Sequence, residues 1–184
     1  GLVGLLFGSI STGFAQEGGW ISYAAKFVCG TRTTDVGVVV GKYETVINIH
    51  NPHYALSRVF FLKKAVRAMP QRSVEFGQIS DKVQELFPPD AARGVDCKDI
   101  RALFGPPLGN WPFLEGFLVL EVPPQLESPT GEPIAPTLDV VGVYTARDQT
   151  GASPSPDAQS IAVVPYEPRH VLGDPSQPPD PPAN

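Results

Sequence analysis

Between Trp20 and Val171, apolar residues come in short runs of alternating polarity separated by Gly and Pro clusters. A period of two sends successive side chains to opposite faces of an extended chain, so each run predicts a half-buried β-strand. Over Ile21 to Cys29, Ile21, Tyr23, Ala25, Phe27 and Cys29 form one set and Ser22, Ala24, Lys26 and Val28 the other. Over Tyr43 to His50, Tyr43, Thr45, Ile47 and Ile49 alternate with Glu44, Val46, Asn48 and His50. Asn51-Pro52 ends that run, because Pro cannot donate to a ladder. Val59 to Ala68 reads both ways: its start is rich in β-formers, but Leu56, Val59, Phe60, Lys63 and Val66 would also suit one helix face. The neighbouring strands and the closing Pro70 favour a strand.

Further along, Ser73 to Cys97 predicts two short strands, Val83 to Phe87 and one ending at Gly94 to Cys97, joined by the Pro88-Pro89-Asp90 turn. Asp99 to Phe104 predicts a single helical turn, stopped by Gly105-Pro106-Pro107. Phe113 to Val122 and Leu138 to Ala146 are the two clearest strands, and Ser160 to Tyr166 is the last. Pro123 to Thr137 carries five prolines and no periodicity, which predicts a surface loop between two strands paired as a hairpin. No repeat of fixed period is present. Seven to eight short strands with almost no helix predict an all-β fold, an immunoglobulin-like antiparallel β-sandwich, with a barrel as the alternative. A parallel sheet needs crossover helices, and the sequence offers none of that length.

Composition narrows the class. The chain has 184 residues, of which 21 are Pro and 18 are Gly. Pro at about twice its usual ~5% excludes a helical bundle, since Pro and Gly break helix interiors. A net charge of −5 argues against nucleic acid, whose phosphates need a basic face. The two ends read differently from the middle. Residues 1–15, GLVGLLFGSISTGFA, are uncharged and apolar and finish on small residues at Gly13 and Ala15, the pattern of a secretory signal without its basic start. A buried first element is the other reading. The stretch is too short to span a ~30 Å hydrocarbon core, and no other segment reaches the length of a membrane span. Gly173 to Asn184 hold five prolines and nothing large to bury, so a disordered Pro-rich tail, residues 172–184, follows a domain over 16–171.

Two cysteines, Cys29 and Cys97, behind a signal-like start suggest a disulfide, with two buried thiols as the alternative. Closing a loop of about 69 residues would stabilise the fold by roughly 4 kcal/mol in the chain-entropy treatment. Candidate chemistry is sparse. His50-Asn51-Pro52-His53 sets two imidazoles three residues apart at a strand end, where they would share a metal only with a carboxylate such as Asp96 or Asp99. The plainer reading makes Asn51 and Pro52 a turn and the imidazoles solvated or bonded to backbone. His170 is the remaining histidine. Asp99 is expected to cap the helical turn and Asp96 to face solvent. Nucleophile-elbow, zincin, P-loop and dinucleotide signatures are missing, so no cofactor and no catalytic residue is assigned. Arg58, Lys63, Lys64, Arg67 and Arg72 gather positive charge that would meet an acidic polymer or anionic lipid, or would simply form one solvated strand face.

Six phrases taken together resemble a group of uncharacterised secreted bacterial proteins with an immunoglobulin-like sandwich. They are YAAKFVCG (Tyr23 to Gly30), GKYETVINIHNP (Gly41 to Pro52), VFFLKK (Val59 to Lys64), PPDAARGVDCKDI (Pro88 to Ile100), FLEGFLVLEV (Phe113 to Val122) and LDVVGVYTA (Leu138 to Ala146). The resemblance covers strand phrases over about 120 residues. It implies secretion and the sandwich, and brings no substrate, cofactor or active-site residue. The expected protein is a non-enzymatic secreted or envelope-associated binding or structural domain. Its partner would be a protein or glycan of the cell envelope or surface. The alternative is an extracellular metal-binding protein or metal-dependent enzyme using His50 and His53.

Overall fold

Alternation predicts which side chains turn inward, and burial follows it in the longer strands. The computed structural model describes residues 19–34, 39–54, 58–69, 73, 75–127, 131, 133–147 and 159–171. In chain order they form β1 (Trp20–Arg32), β2 (Gly41–His50), β3 (Val59–Arg67), β4 (Val83–Phe87), β5 (Ala92–Asp96), helix α1 (Cys97–Phe104), a 3-10 turn (Leu108–Asn110), β6 (Phe113–Val122), β7 (Leu126–Glu127), β8 (Pro133–Ile134), β9 (Asp139–Arg147), β10 (Gln159–Pro165) and β11 (Arg169–Val171). The expected signal segment and Pro-rich tail lie outside the described residues.

In β1 the predicted set Ile21, Tyr23, Ala25, Phe27 and Cys29 is buried, and in β2 Tyr43, Thr45, Ile47 and Ile49 are. The ambiguous third run is strand β3, burying Val59, Phe61 and Ala65. All pairings among the named strands are antiparallel. The strands fall into two layers. One runs β11-β1-β6-β3-β4 and the other β10-β9-β2-β5. β1 and β2 pair only where they meet, Gly30 to Arg32 against Gly41 to Tyr43, and then diverge. The layers are therefore hydrogen-bonded at one corner and face each other elsewhere. A single core of Tyr23, Phe27, Ile47, Phe61, Leu118, Leu120 and their neighbours fills the space between them. The fold is all-β and sandwich-like.

One expectation about connections is corrected. β6 and β9, the strands flanking the Pro-rich loop, do not form a hairpin. β6 already pairs on one edge with β1 and on the other with β3, so the chain must leave that layer to continue. Pro123 to Thr137 carries it across, and β7 and β8 form a small ladder of their own on the way. The two short strands expected on either side of the Pro-Asp turn are β4 and β5, which join different layers. β4 edges the first layer on β3 and β5 edges the second on β2. Asp90 takes a left-handed φ of 54° at this crossing, a conformation Asp tolerates better than most residues.

Helix α1 begins two residues earlier than the predicted turn. Asp96 is its N-cap: its side chain accepts from the backbone N–H groups of Lys98 and Asp99 at 2.8 and 2.9 Å. Asp99 answers by accepting from the Asp96 N–H, completing a capping box. The roles expected of the two aspartates are thus redistributed: Asp96 caps, and Asp99 occupies the third helical position. Ile100 buries into the core, and Phe104 meets Phe27 edge to face with centroids 6.3 Å apart. Cys97 opens the helix and forms a disulfide with Cys29 of β1, with Cα atoms 5.5 Å apart. Arg101 reinforces this junction by donating to the carbonyls of Gly109, Trp111 and Cys29.

Candidate functional site

At one pole of the sandwich, the end of β2 meets the β4–β5 crossing and the start of β9. His50 sits among them with both ring nitrogens engaged. Nδ1 is 2.9 Å from Asp139 and Nε2 is 3.0 Å from Asp90. Hydrogen bonding to the Asp139 carboxylate, and then to that of Asp90, raises the imidazole pKa above its usual 6.5. Asn51 is fully buried and satisfied. Its amide donates to the carbonyls of Phe87 and Pro88, and its oxygen accepts from the N–H of His53. His53 Nε2 lies 2.9 Å from the carbonyl of Thr137.

The geometry assigns these residues mechanical work. His50, Asn51 and His53 tie three chain segments together. The two carboxylates approach the His50 ring from opposite nitrogens, so they cannot share one ion with it. A general base also needs a free nitrogen facing substrate, and each ring nitrogen of His50 already has a partner. Asp96 and Asp99, the oxygen ligands the metal alternative calls on, are spent in the helix cap. Among the described residues no group of three or more His, Cys, Asp or Glu side chains is placed to hold a metal ion.

The basic residues of β3 are largely matched. Lys63 pairs with Glu85, Lys64 with the buried Glu121, and Lys82 lies 3.0 Å from the same Glu121 carboxylate. Arg67 stacks its guanidinium 3.7 Å from the centroid of Trp111. Arg58 is exposed and Arg72 lies outside the described residues. This is not the continuous unpaired cationic stripe that an acidic polymer would require.

A feature without a sequence motif lies at the corner where the layers part. β1 has no strand beside Ala24 to Val28 on the edge facing β2, so its backbone groups there need other partners. Side-chain hydroxyls supply them. Thr45 accepts from the Val28 N–H at 3.0 Å and donates to the Val28 carbonyl at 2.9 Å. Tyr166 accepts from the Lys26 N–H at 3.0 Å, and Tyr144 donates to the Lys26 carbonyl. The two phenols also bond to each other. Since Tyr144 has spent its one proton on Lys26, Tyr166 must be the donor between them. Burial, and then the bond to Tyr166, pushes the Tyr144 pKa well above the usual tyrosine range. Beside this seam the inner face of β9 and β10 overhangs the core and leaves an apolar cavity of about 480 Å³, walled by Val28, Tyr144, Ala162 and Val164 among others.

The outermost strand next to this cavity is β10. It pairs with β9 over seven residues, Gln159 to Pro165, and no described strand pairs with its other edge. The edge carries no charged residue, and Val163 is 63% exposed. The opposite edges differ. β4 and β5 are five residues each and carry Glu85, Arg93 and Asp96. Charges and shortness are the usual guards of an edge strand, and β10 lacks both.

Comparison of the chain with known protein families, with curated proteins and with solved structures finds no match.

Proposed function

We propose that this chain is a non-enzymatic binding domain of the secreted or envelope-associated kind, and that it engages an extended segment of a protein partner along β10. The single observation that carries this reading is the unguarded β10 edge. A strand whose outer row of N–H and C=O groups meets no described strand, with exposed valines and no charge, is a template for strand addition. The disulfide between Cys29 and Cys97 supports a compartment that permits oxidation. No described helix is long and apolar enough to cross a membrane. Kinship with the secreted immunoglobulin-like group rests on the six strand phrases and belongs to this proposal.

The test is recovery of a partner from the envelope fraction of the native organism by the wild-type chain and by Val163→Asp. Val163 faces solvent, so the charge alters the edge and spares the core. The wild type is expected to retain a defined protein that protects β10 amides from hydrogen exchange, and Val163→Asp to lose it. Retention of nothing, or equal retention by both proteins, overturns the reading.

A further inference from the structure

A second site, separate from the β10 edge, lies where β3 ends beneath the helix and its following turn. Its centre is Arg67. The guanidinium is half-buried and stacked on Trp111, and none of its N–H groups finds an acceptor among the described residues. That sets it apart from its neighbours. Lys63 and Lys64 have carboxylates, Arg93 has Glu85, and Arg101 has three carbonyls. Partial burial lowers the pKa of Arg67, as desolvation must. A planar fork of donors, held by stacking and open to solvent, is free to exchange water for a ligand's oxygens.

The surroundings are built. Arg67 opens onto a cavity of about 540 Å³ walled by Phe76, Ile79, Phe104, Leu108 and Trp111, with Glu75 on the same wall. The wall over Arg67 is pinned to β3. Arg67 N–H donates to the Gln78 carbonyl, Ser80 N–H donates to the Ala65 carbonyl, and Ser80 Oγ accepts from Ala65 N–H, all within 2.9 Å. Gly77 makes this approach possible, since a Cβ there would fall 1.6 Å from the Arg67 carbonyl oxygen. Phe76 is fully exposed at the rim, and Trp111 keeps 41% of its surface open. Exposed aromatics beside a stacked, partly buried arginine are the composition of many recognition pockets.

We infer that this cleft binds a single carboxylate carried on an apolar or aromatic body. Two parallel N–H···O bonds from the Arg67 fork match a carboxylate, and the aromatic walls take the body. Glu75 sets the charge class: a carboxylate on the wall repels phosphate esters and acidic polymers more strongly than a monoanion. Two sources carry this chemistry, a free amphipathic acid and the C-terminus of a peptide ending in an apolar residue.

The probes are 3-phenylpropionate and N-acetyl-Leu-Phe with a free C-terminus, each beside its carboxamide, titrated into the disulfide-bonded chain and followed by NMR at the Trp111 indole N–H and the Arg67 Nε–H. Both acids are expected to shift these signals saturably, and the amides to bind at least about tenfold more weakly, the worth of a charge-assisted pair. Tighter binding of the peptide acid by tenfold or more assigns the source to a chain terminus, and the reverse order to a free acid. Arg67→Gln keeps the backbone bond to Gln78 and should lose the preference for acid over amide. Phe76→Ala, a change of a fully exposed side chain, should weaken acid and amide alike. Equal affinity for acid and amide, tighter binding of inorganic phosphate, or an acid preference surviving in Arg67→Gln overturns the inference. None of these outcomes depends on whether a partner adds to β10.

Discussion

At the scale of single residues, the polar groups that hold this sandwich are pairs distant in sequence. His50 reaches Asp90 and Asp139, 40 and 89 positions away. Its pKa is raised in the folded state, so its contribution to stability is fully present below the unfolded value of 6.5 and is lost as pH rises through the folded value. The wild type should therefore melt above His50→Gln at pH 5.5, and the gap should narrow steadily toward pH 8.5 in thermal scans at both ends of that range. The side chain is 35% exposed, so solvent screening keeps the gap modest and salt-sensitive. Thr45 is 1% exposed and serves both backbone groups of Val28. Thr45→Val preserves shape but strands a donor and an acceptor. It should cost about 1–3 kcal/mol in urea unfolding, with an unchanged slope. Neither role was legible beforehand. His50 reads as a solvated or backbone-bonded imidazole, or as half of a metal pair, and Thr45 as one more inward position of an alternating strand.

At the scale of elements, alternation located the main strands and their inward faces, because period-two burial is a local property of sequence. It could not supply pairing partners. The Pro-rich loop looks like a hairpin connection until β6 is seen to have both edges occupied. β11 is only three residues long, too short for any period to show. Helix α1 was legible as a turn, but its start was misplaced because Asp96 and Asp99 are both able caps. The choice fell to Asp96, which leaves Cys97 on the first turn facing Cys29. Asp96→Ala removes acceptors for two backbone N–H groups and should destabilise the protein by about 1 kcal/mol, within 0.5–2. Asp99→Asn keeps an oxygen for the Asp96 N–H and should cost less. Chemical denaturation of the two variants side by side checks the order.

At the scale of the whole molecule, the two layers meet by hydrogen bonds at one corner and are fastened elsewhere by few polar devices. The disulfide ties β1 of one layer to the helix that follows β5 of the other, and Tyr23, fully buried in β1, accepts from Leu138 N–H at 2.7 Å just before β9. Replacing both cysteines by Ala should lower stability by about 4 kcal/mol, read from the urea midpoint, and reduction of the wild type should reproduce the shift. The sequence by itself determined the all-β class and the inward side of the main strands, and it suggested the one disulfide that two cysteines allow. Each of these follows from local periodicity or from counting. Tertiary structure alone decided which described strands lie at the edges, that the corner of the sandwich is closed by Thr45, Tyr144 and Tyr166, and that Arg67 stands over Trp111. Those features depend on distant segments meeting, and local pattern does not encode which of many polar residues will be left beside which partner once the apolar faces have closed.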